Sequence, residues 1–360
     1  TAYDGFTQAN PLPYAQEWNF GVQHLLAKEL IAEINYVGSR GVHLAVNLPT
    51  NTVPYDPALD TAVARANTTS ATQQVRPFPK IGSFNSLNME GVSSYHALQA
   101  GIRRQYGDNL TFLANYTFSK SIDDATGTFA FSQPSGLNLG QFPNQFLSIN
   151  KGLSEFDRTH SLTAALQFKT KGNRWVRNVE FYPIFMARSG MPFYIGQTNA
   201  NPAQTGTNQQ RPNYLYPTVS LYAGMVPNGT GIQYLVPVSA PYFPLGPTGP
   251  FFIGSNRQQV LPAGIGNLGR NVVRGPGEFD LDLSVGRAFD LTEKLKFTIR
   301  GEAYNALNHT NFQAPSSTTS TFITLNSNPG GQPFWNSPSF GLITAANQSR
   351  FLQLAARFDF

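Results

Sequence analysis

The stretch YHALQAGIRRQYGDNLTFLANYTFSK, Tyr95 to Lys120, decides the fold. Leu98, Ala100 and Ile102 alternate with Gln99, Gly101 and Arg103. After Gly107-Asp108-Asn109, a tight-turn sequence, Leu110, Phe112, Ala114, Tyr116 and Phe118 alternate with Thr111, Asn115, Thr117 and Ser119. Successive side chains of an extended strand point to opposite faces, so each run carries one apolar and one polar face. The stretch predicts a hairpin of two long strands.

The same alternation recurs along the chain. Trp18, Phe20 and Val22 open it, and Leu30, Ala32, Ile34 and Tyr36 follow. Leu162, Ala164, Leu166 and Phe168 form a further run, and Val179 to Tyr194 is aromatic-rich but blurred. Pro183 there calls for an edge, a bulge or an irregular spot. Phe279, Leu281, Leu283 and Val285 resume the pattern, then Leu295, Phe297 and Ile299. Leu352, Leu354, Ala356, Phe358 and Phe360 close the chain. These make nine candidate strands. Most reach roughly the 9 to 11 residues that a tilted strand needs to cross a bilayer.

The connections alternate short and long. The short ones are Ala27-Lys28-Glu29, Gly107-Asp108-Asn109, KGNRWVRN from Lys171, and Asp290 to Glu293. The long ones cover approximately 40–92, 121–157, 195–276 and 308–348. Strict alternation puts all long loops at one end, as in outer-membrane barrels with short periplasmic turns and long extracellular loops. On that reading the C-terminus is periplasmic.

Composition supports a sheet with one face in lipid. Charged residues are 12%, against about 25% in a typical soluble domain, while Phe numbers 28 and Tyr 15. Mean hydropathy is nevertheless -0.25. Aromatics collect near strand ends: Tyr36, Tyr95, Phe118 and Phe279 at the long-loop end, and Tyr106, Phe168, Phe289, Phe297 and Phe360 at the other. Two such belts mark the two interfaces of a membrane barrel. No apolar run is long enough for a transmembrane helix, and no signal peptide is present in this chain. The chain starts at Thr1 rather than Met, which raises the expectation of a mature chain or a fragment. Cysteine is absent, which removes disulfides and cysteine-based metal or redox sites. The 25 Lys and Arg are scattered, so no nucleic-acid partner is expected. A soluble β-sandwich binding glycans, and a barrel serving adhesion or secretion, are the alternatives.

No catalytic constellation is visible, and no cofactor or metal is expected. His24, His43, His96, His160 and His309 are dispersed. His160, beside Asp157 and Arg158 in FDRTHS, reads as part of a loop–strand polar network. Asp123 and Asp124 could contribute to a Ca²⁺ site, but only two adjacent carboxylates are there. The glycines of GSRG and LSVGRAF lack the strand–loop–helix setting of a phosphate loop. The charges expected inside the barrel are Glu17, Glu33, Arg103, Asp280, Asp282, Lys296, Arg300, Glu302 and Arg357. Pairing between strands, or with whatever fills the barrel, is favoured for them over ligand contact.

The segments WNFGVQHLL, INYVGSRGVHL, YHALQAGIRRQYGDNLTFLANYTFSKSIDD, FDRTHSL, ARSGMPF, GEFDLDLSVGRAFDLTEKLKFTIRGEAYNALNHTNF and FGLITAANQSRFLQLAARFDF resemble the C-terminal barrel half of TonB-dependent outer-membrane receptors. The likeness is to the Oar-like group and runs from about Pro11 to Phe360. It implies an all-β, antiparallel up-and-down transmembrane β-barrel, of which residues 1–360 supply the C-terminal part, with the plug and N-terminal domains outside this chain. It also implies the partners: outer-membrane lipid, the barrel-assembly machinery, a plug domain and the TonB complex through the missing N-terminal part, and a bulky nutrient such as an oligosaccharide, siderophore or peptide. Leu354, Phe358 and Phe360 are expected to form the C-terminal assembly signal that such barrels carry.

Overall fold

The computed structural model describes residues 4–6, 11–49, 78, 80, 85–106, 109–124, 151–173, 176–198, 209–210, 213–214, 221–229, 231–235, 251–252, 268–293, 295–315, 322–327, 333–335 and 339–359. Among these there is no helix.

Nine strands form one antiparallel meander: β1 (Tyr14–Ala27), β2 (Leu30–Pro49), β3 (Asn85–Tyr106), β4 (Leu110–Asp123), β5 (His160–Lys169), β6 (Val179–Arg188), β7 (Glu278–Asp290), β8 (Lys296–Tyr304) and β9 (Phe351–Asp359). Each pairs with its neighbour in sequence. Two short pieces join the sheet beside this path: Asp4–Phe6 runs parallel to β3, and Gly152–Leu153 pairs with the end of β4.

Directly opposed residues of neighbouring strands share a face, so the register assigns every side chain. One row runs Val22, Ile34, Ala100, Tyr116, Leu162, Ala187 and Phe279. Stepping by two from this row collects the apolar sets read from sequence, including Leu283, Ile299, Leu354 and Phe358. The apolar face is bare. Phe20 is 73% exposed, Ile34 58%, Leu352 67% and Leu354 85%. A sandwich would cover this face with a second sheet, gaining about 1.5–3 kcal/mol per buried side chain. Here nothing lies on it among the described residues, and of the eight buried apolar residues only Val46 and Ala97 belong to the nine strands. The exposure is what a lipid-facing wall requires.

Rings gather at both ends of that face. At the short-turn end Phe289, Phe297 and Phe358 lie in one cross-strand row, with centroids 6.2 and 4.7 Å apart. At the long-loop end Tyr36 donates or accepts a 2.8 Å bond with His96 Nδ1, and Tyr116 makes the same contact with His160 at 2.7 Å. Trp18 lies across Gly38, where a Cβ would strike the indole, and reaches His96 at 6.0 Å. Tyr95 departs from the expected belt: its partners Ser39 and Ser121 place it on the polar face. The side chain of Tyr106, and Phe360 altogether, lie outside the described residues.

Two expectations about the strands change. β2 and β3 reach Pro49 and start at Asn85, well into the segment read as a loop from residue 40. At 20 and 22 residues they far exceed the roughly 9–11 needed to span a bilayer, so they stand proud at the long-loop end. The cause is a bulge: the register shifts between Val42 and Leu44, with His43 at φ 56°. A bulge resets the phase of the alternation, which hides the continuation from a period-two reading. Pro183 sits inside β6, as an irregular spot. Its ladder to β7 is continuous, while that to β5 lapses between Ala165–Ile184 and Phe168–Phe181. Proline has no N–H to give there.

The segments read as structureless loops also fold in part. Tyr222–Asn228 and Gly231–Leu235 form a hairpin that takes Leu342–Ile343 as a third strand. Gly196–Thr198 pairs with Phe322–Thr324, and Val273–Arg274 with Pro192–Phe193. Ile195, Leu235, Leu268, Val273 and Phe340 make their common core, with Phe193, Leu221 and Tyr234 packed against it. Six of the eight buried apolar residues among those described thus lie in this cap at the long-loop end.

Candidate functional site at the long-loop end

The cap is tied to the wall by charge. Residues 268–278 run back toward β7 across the long-loop ends of β4, β5 and β6. Arg270 donates to the carboxylate and the carbonyl of Asp123, the last residue of β4, and to the carbonyl of Leu153. Its side chain is 1% exposed and that of Asp123 7%. Arg274 donates to the carboxylate and carbonyl of Asp157 and to the carbonyl of Gly190 at 3.1 Å. Asp157 also accepts from the amide of Ser121 at 2.5 Å. Arg158 donates to Ser189 O at 2.9 Å and to Glu278 at 3.1 Å.

Each of these ions is compensated, which a buried charge needs. Removing one partner of such a pair costs about 3–5 kcal/mol, because the other charge is left dry and alone. Gly190 adds a steric condition: a Cβ there would collide with the carbonyl of Gly275. The FDRTHS, ARSGMPF and RGPGEF stretches therefore meet at one place. The expected loop–strand network around Asp157, Arg158 and His160 is present. Asp123 is engaged by Arg270 and so is not free to ligate Ca²⁺, and no group of three or more potential ligands for a metal occurs among the described residues. Asp124 accepts from the amide of Val92 at 2.9 Å. Burial holds its carboxyl above the usual carboxylate range, against that hydrogen bond.

Tyrosines lock the cap to the same segment. Tyr234 donates to Arg274 O at 2.6 Å, and Arg274 N donates to Tyr222 at 2.9 Å. The two rings meet edge to face at 5.3 Å. Burial, then the neighbouring Tyr222, pushes the Tyr234 phenol up, so it stays a donor across the physiological range. On the β7–β8 side NALNHTNF supplies asparagines. Asn305 and Asn308 take positive φ, where Asn is tolerated better than most residues. Asn305 accepts from His309 N and donates to His309 O, both at 2.8 Å. Asn311 accepts from Phe279 N at 2.8 Å and donates to Phe279 O at 2.9 Å, continuing the ladder along β7 with a side chain.

Two concavities flank residues 268–278. One, of about 630 Å³, is bordered by Phe118, Lys120, Ile122, Lys151, Leu153 and Val272. The other, of about 580 Å³, is bordered by Arg158, Glu278, Phe193, Phe312, Gln313 and Asn347. Both lie in the range of small-ligand sites, roughly 300–1,000 Å³.

All nine charged positions singled out in the sequence fall on the polar face, but they do not converge. Glu17 faces Ser39, and Glu33 faces Gln23 and Gly101. Arg103 lies between Ile31 and Leu113. Asp280 and Asp282 are two apart on β7, the latter accepting from Asn305 N at 3.0 Å. Arg300 meets Glu302 at 3.6 Å, Arg357 meets Asp359 at 2.6 Å, and Lys296 is opposite Asp290 and Asp359. The Arg270 and Arg274 latch was not singled out. Its signal was two arginines four apart in a long segment with almost no other charge.

A bare apolar wall, ringed by aromatics and capped at one end by folded loops, defines a membrane β-barrel. Residues 1–353 match the family described as "Outer membrane beta barrel domain", and the chain belongs to that family of outer-membrane proteins. In fold it is similar to the outer membrane transporter YddB from Escherichia coli, at 11% identity and a TM-score of 0.47, over 99% of this chain and 34% of that one. It is also similar to FpvA of P. aeruginosa bound to pyoverdine, at 11% and 0.41 over 96% and 27%. The FrpB iron transporter from Neisseria meningitidis gives 12% and 0.41 over 99% and 33%. The chain thus spans about a third of the length of these proteins. No curated protein matches it in sequence.

Proposed function

We propose that the chain is the C-terminal barrel portion of a TonB-dependent receptor that takes up a bulky nutrient. The observation that carries the reading is the ion-latched cap over the long-loop end of a membrane sheet whose polar face is charged. A passive pore needs a wall and a constriction. A receptor also needs a rigid outer site that holds cargo before entry, and the 580 Å³ concavity beside Arg158 and Glu278 offers aromatic, amide and charged groups for one. The resemblance of the seven segments above points the same way.

Among the described residues β1 and β9 each pair on one side only. Lipid tolerates no open sheet edge, so further strands complete the wall, and a plug inside it meets the polar face. Glu17, Glu33, Arg103, Asp280, Asp282, Lys296, Arg300, Glu302 and Arg357 then line the lumen against that plug. The long loops face outward and the C-terminus lies in the periplasm. There Leu354, Phe358 and Phe360 serve the assembly machinery. The role is transport without catalysis.

The test is growth of a strain lacking the full-length protein on limiting iron and carbon sources, with labelled-nutrient uptake for any source that fails. Uptake that needs the receptor and stops when a protonophore collapses the inner-membrane gradient is the expected result. Uptake indifferent to the protonophore would identify a passive pore, and normal growth with loss of surface attachment would identify an adhesin.

A further inference from the structure

We propose that the outward face of β2–β4 at the long-loop end seats a lipid headgroup carrying a phosphate monoester. The register gives the layout. Trp18, Gly38, His96 and Lys120 form one cross-strand row on the apolar side of the sheet. The next row toward the loops is Gln16, Arg40, Ser94 and Ile122, and Ile122 is opposite Leu153. Lys151 precedes Gly152, which pairs with Asp123. Arg40, His96, Lys120 and Lys151 are all exposed. They stand above the row of Tyr36, Leu98 and Phe118 on the bare wall.

Cations on a lipid-facing surface are costly unless they meet the headgroup layer. Arg40, Lys120 and Lys151 have no carboxylate within ion-pair distance among the described residues. The two acids that follow Lys120 are turned inward, Asp123 onto Arg270 and Asp124 onto the amide of Val92. The patch is therefore positive where the wall ends. Beside Lys120 and Lys151 lies the 630 Å³ concavity, with Phe118, Ile122, Leu153 and Val272 on its surface. A phosphate monoester offers up to two charges and three acceptor oxygens to the guanidinium and ammonium groups. The acyl chains then continue down Leu98, Phe118 and Tyr116.

The proposal rests on the assignment of the apolar face to lipid. It is tested on the full-length protein in detergent, offered phosphatidic acid and phosphatidylcholine together, with native mass spectrometry reading the lipid retained. The wild type should keep phosphatidic acid in preference, and excess inorganic phosphate should not displace it. Each cation is worth roughly fivefold, so R40Q/K120Q/K151Q should lower retention about 100-fold. K171Q, a cation lost at the short-turn end, should change nothing. Equal retention by the triple variant overturns the site, and so does displacement by inorganic phosphate, which would mark a soluble-anion site. Equal retention of both lipids by the wild type also sinks it, whereas retention of neither sinks the face assignment beneath it.

Discussion

Arg270 ties the cap to the wall through a buried ion pair. It is buried, and it closes the end of β4, the carbonyl of Leu153 and residues 268–278 into one unit. R270A should therefore lower the opening free energy of the cap by about 3–5 kcal/mol, read as lost amide-exchange protection at Ser154 and Asp157. Protection within the membrane strands should be unchanged. Adding D123N to remove the stranded charge should restore part of the loss; an additive double variant would contradict the pairing. Asp124 supplies a pH dependence. Its folded pKa lies above its ordinary 3.8, so the folded cap binds the proton better than the unfolded segment does. That contribution is complete below pH 3.8 and is lost as pH rises through the folded value. Exchange protection of the Val92 amide should fall over that rise, and D124N, which keeps an acceptor, should flatten the change.

At the level of the strand, each face has its own tolerance for charge. Leu354 and Ala355 are neighbours on β9, opposite Gly301 and Arg300. Arginine on the lipid face near mid-membrane costs about 2–4 kcal/mol, while a position facing water absorbs it. L354R should weaken folding of the full-length protein into bilayers by that amount, and Q353R, on the same face as Ala355 and opposite Glu302, should leave it nearly unchanged. Similar losses at both positions would mean that β9 does not separate lipid from water. This two-faced character was legible in the sequence at eight of the nine strands, because lipid and lumen impose period two, and was blurred only at β6 around Pro183. Three things were not legible. The bulge at His43 shifts the phase and conceals the upper parts of β2 and β3. Tyr95 has the chemistry of a belt residue and the parity of the polar face. Some cap strands pair across more than a hundred residues, as Gly196–Thr198 does with Phe322–Thr324, and runs of two or three residues carry no period to read.

The whole molecule divides its stability between two solvents. The wall has almost no dry core of its own and relies on lipid outside, while the cap packs Ile195, Leu235, Leu268, Val273 and Phe340 as a soluble protein would. The arginine latch joins the two. It was missed in the sequence because Asp123 and Arg270 are 147 positions apart and single charges announce no partner. The charged positions of the polar face were found, yet their failure to converge depends on register and on which strands neighbour one another. Such a division suits the receptor proposed above, in which a rigid cap is held over a wall that spans the membrane.

The central claim is that one face of this sheet meets lipid and the other water. This chain has no cysteine, so, with any cysteine elsewhere in the full-length protein replaced, single cysteines can be placed from Phe112 to Thr117 on β4, a strand paired on both sides, and spin-labelled in bilayers. Relaxation by oxygen, which concentrates in lipid, should be high at 112, 114 and 116, and relaxation by a water-soluble nickel chelate high at 113, 115 and 117. Leu113 is the decisive position, because an apolar residue lies there on the polar face. A label at 113 that responds to nickel and not to oxygen is the predicted result; one that responds to oxygen like its neighbours at 112 and 114 would contradict the account.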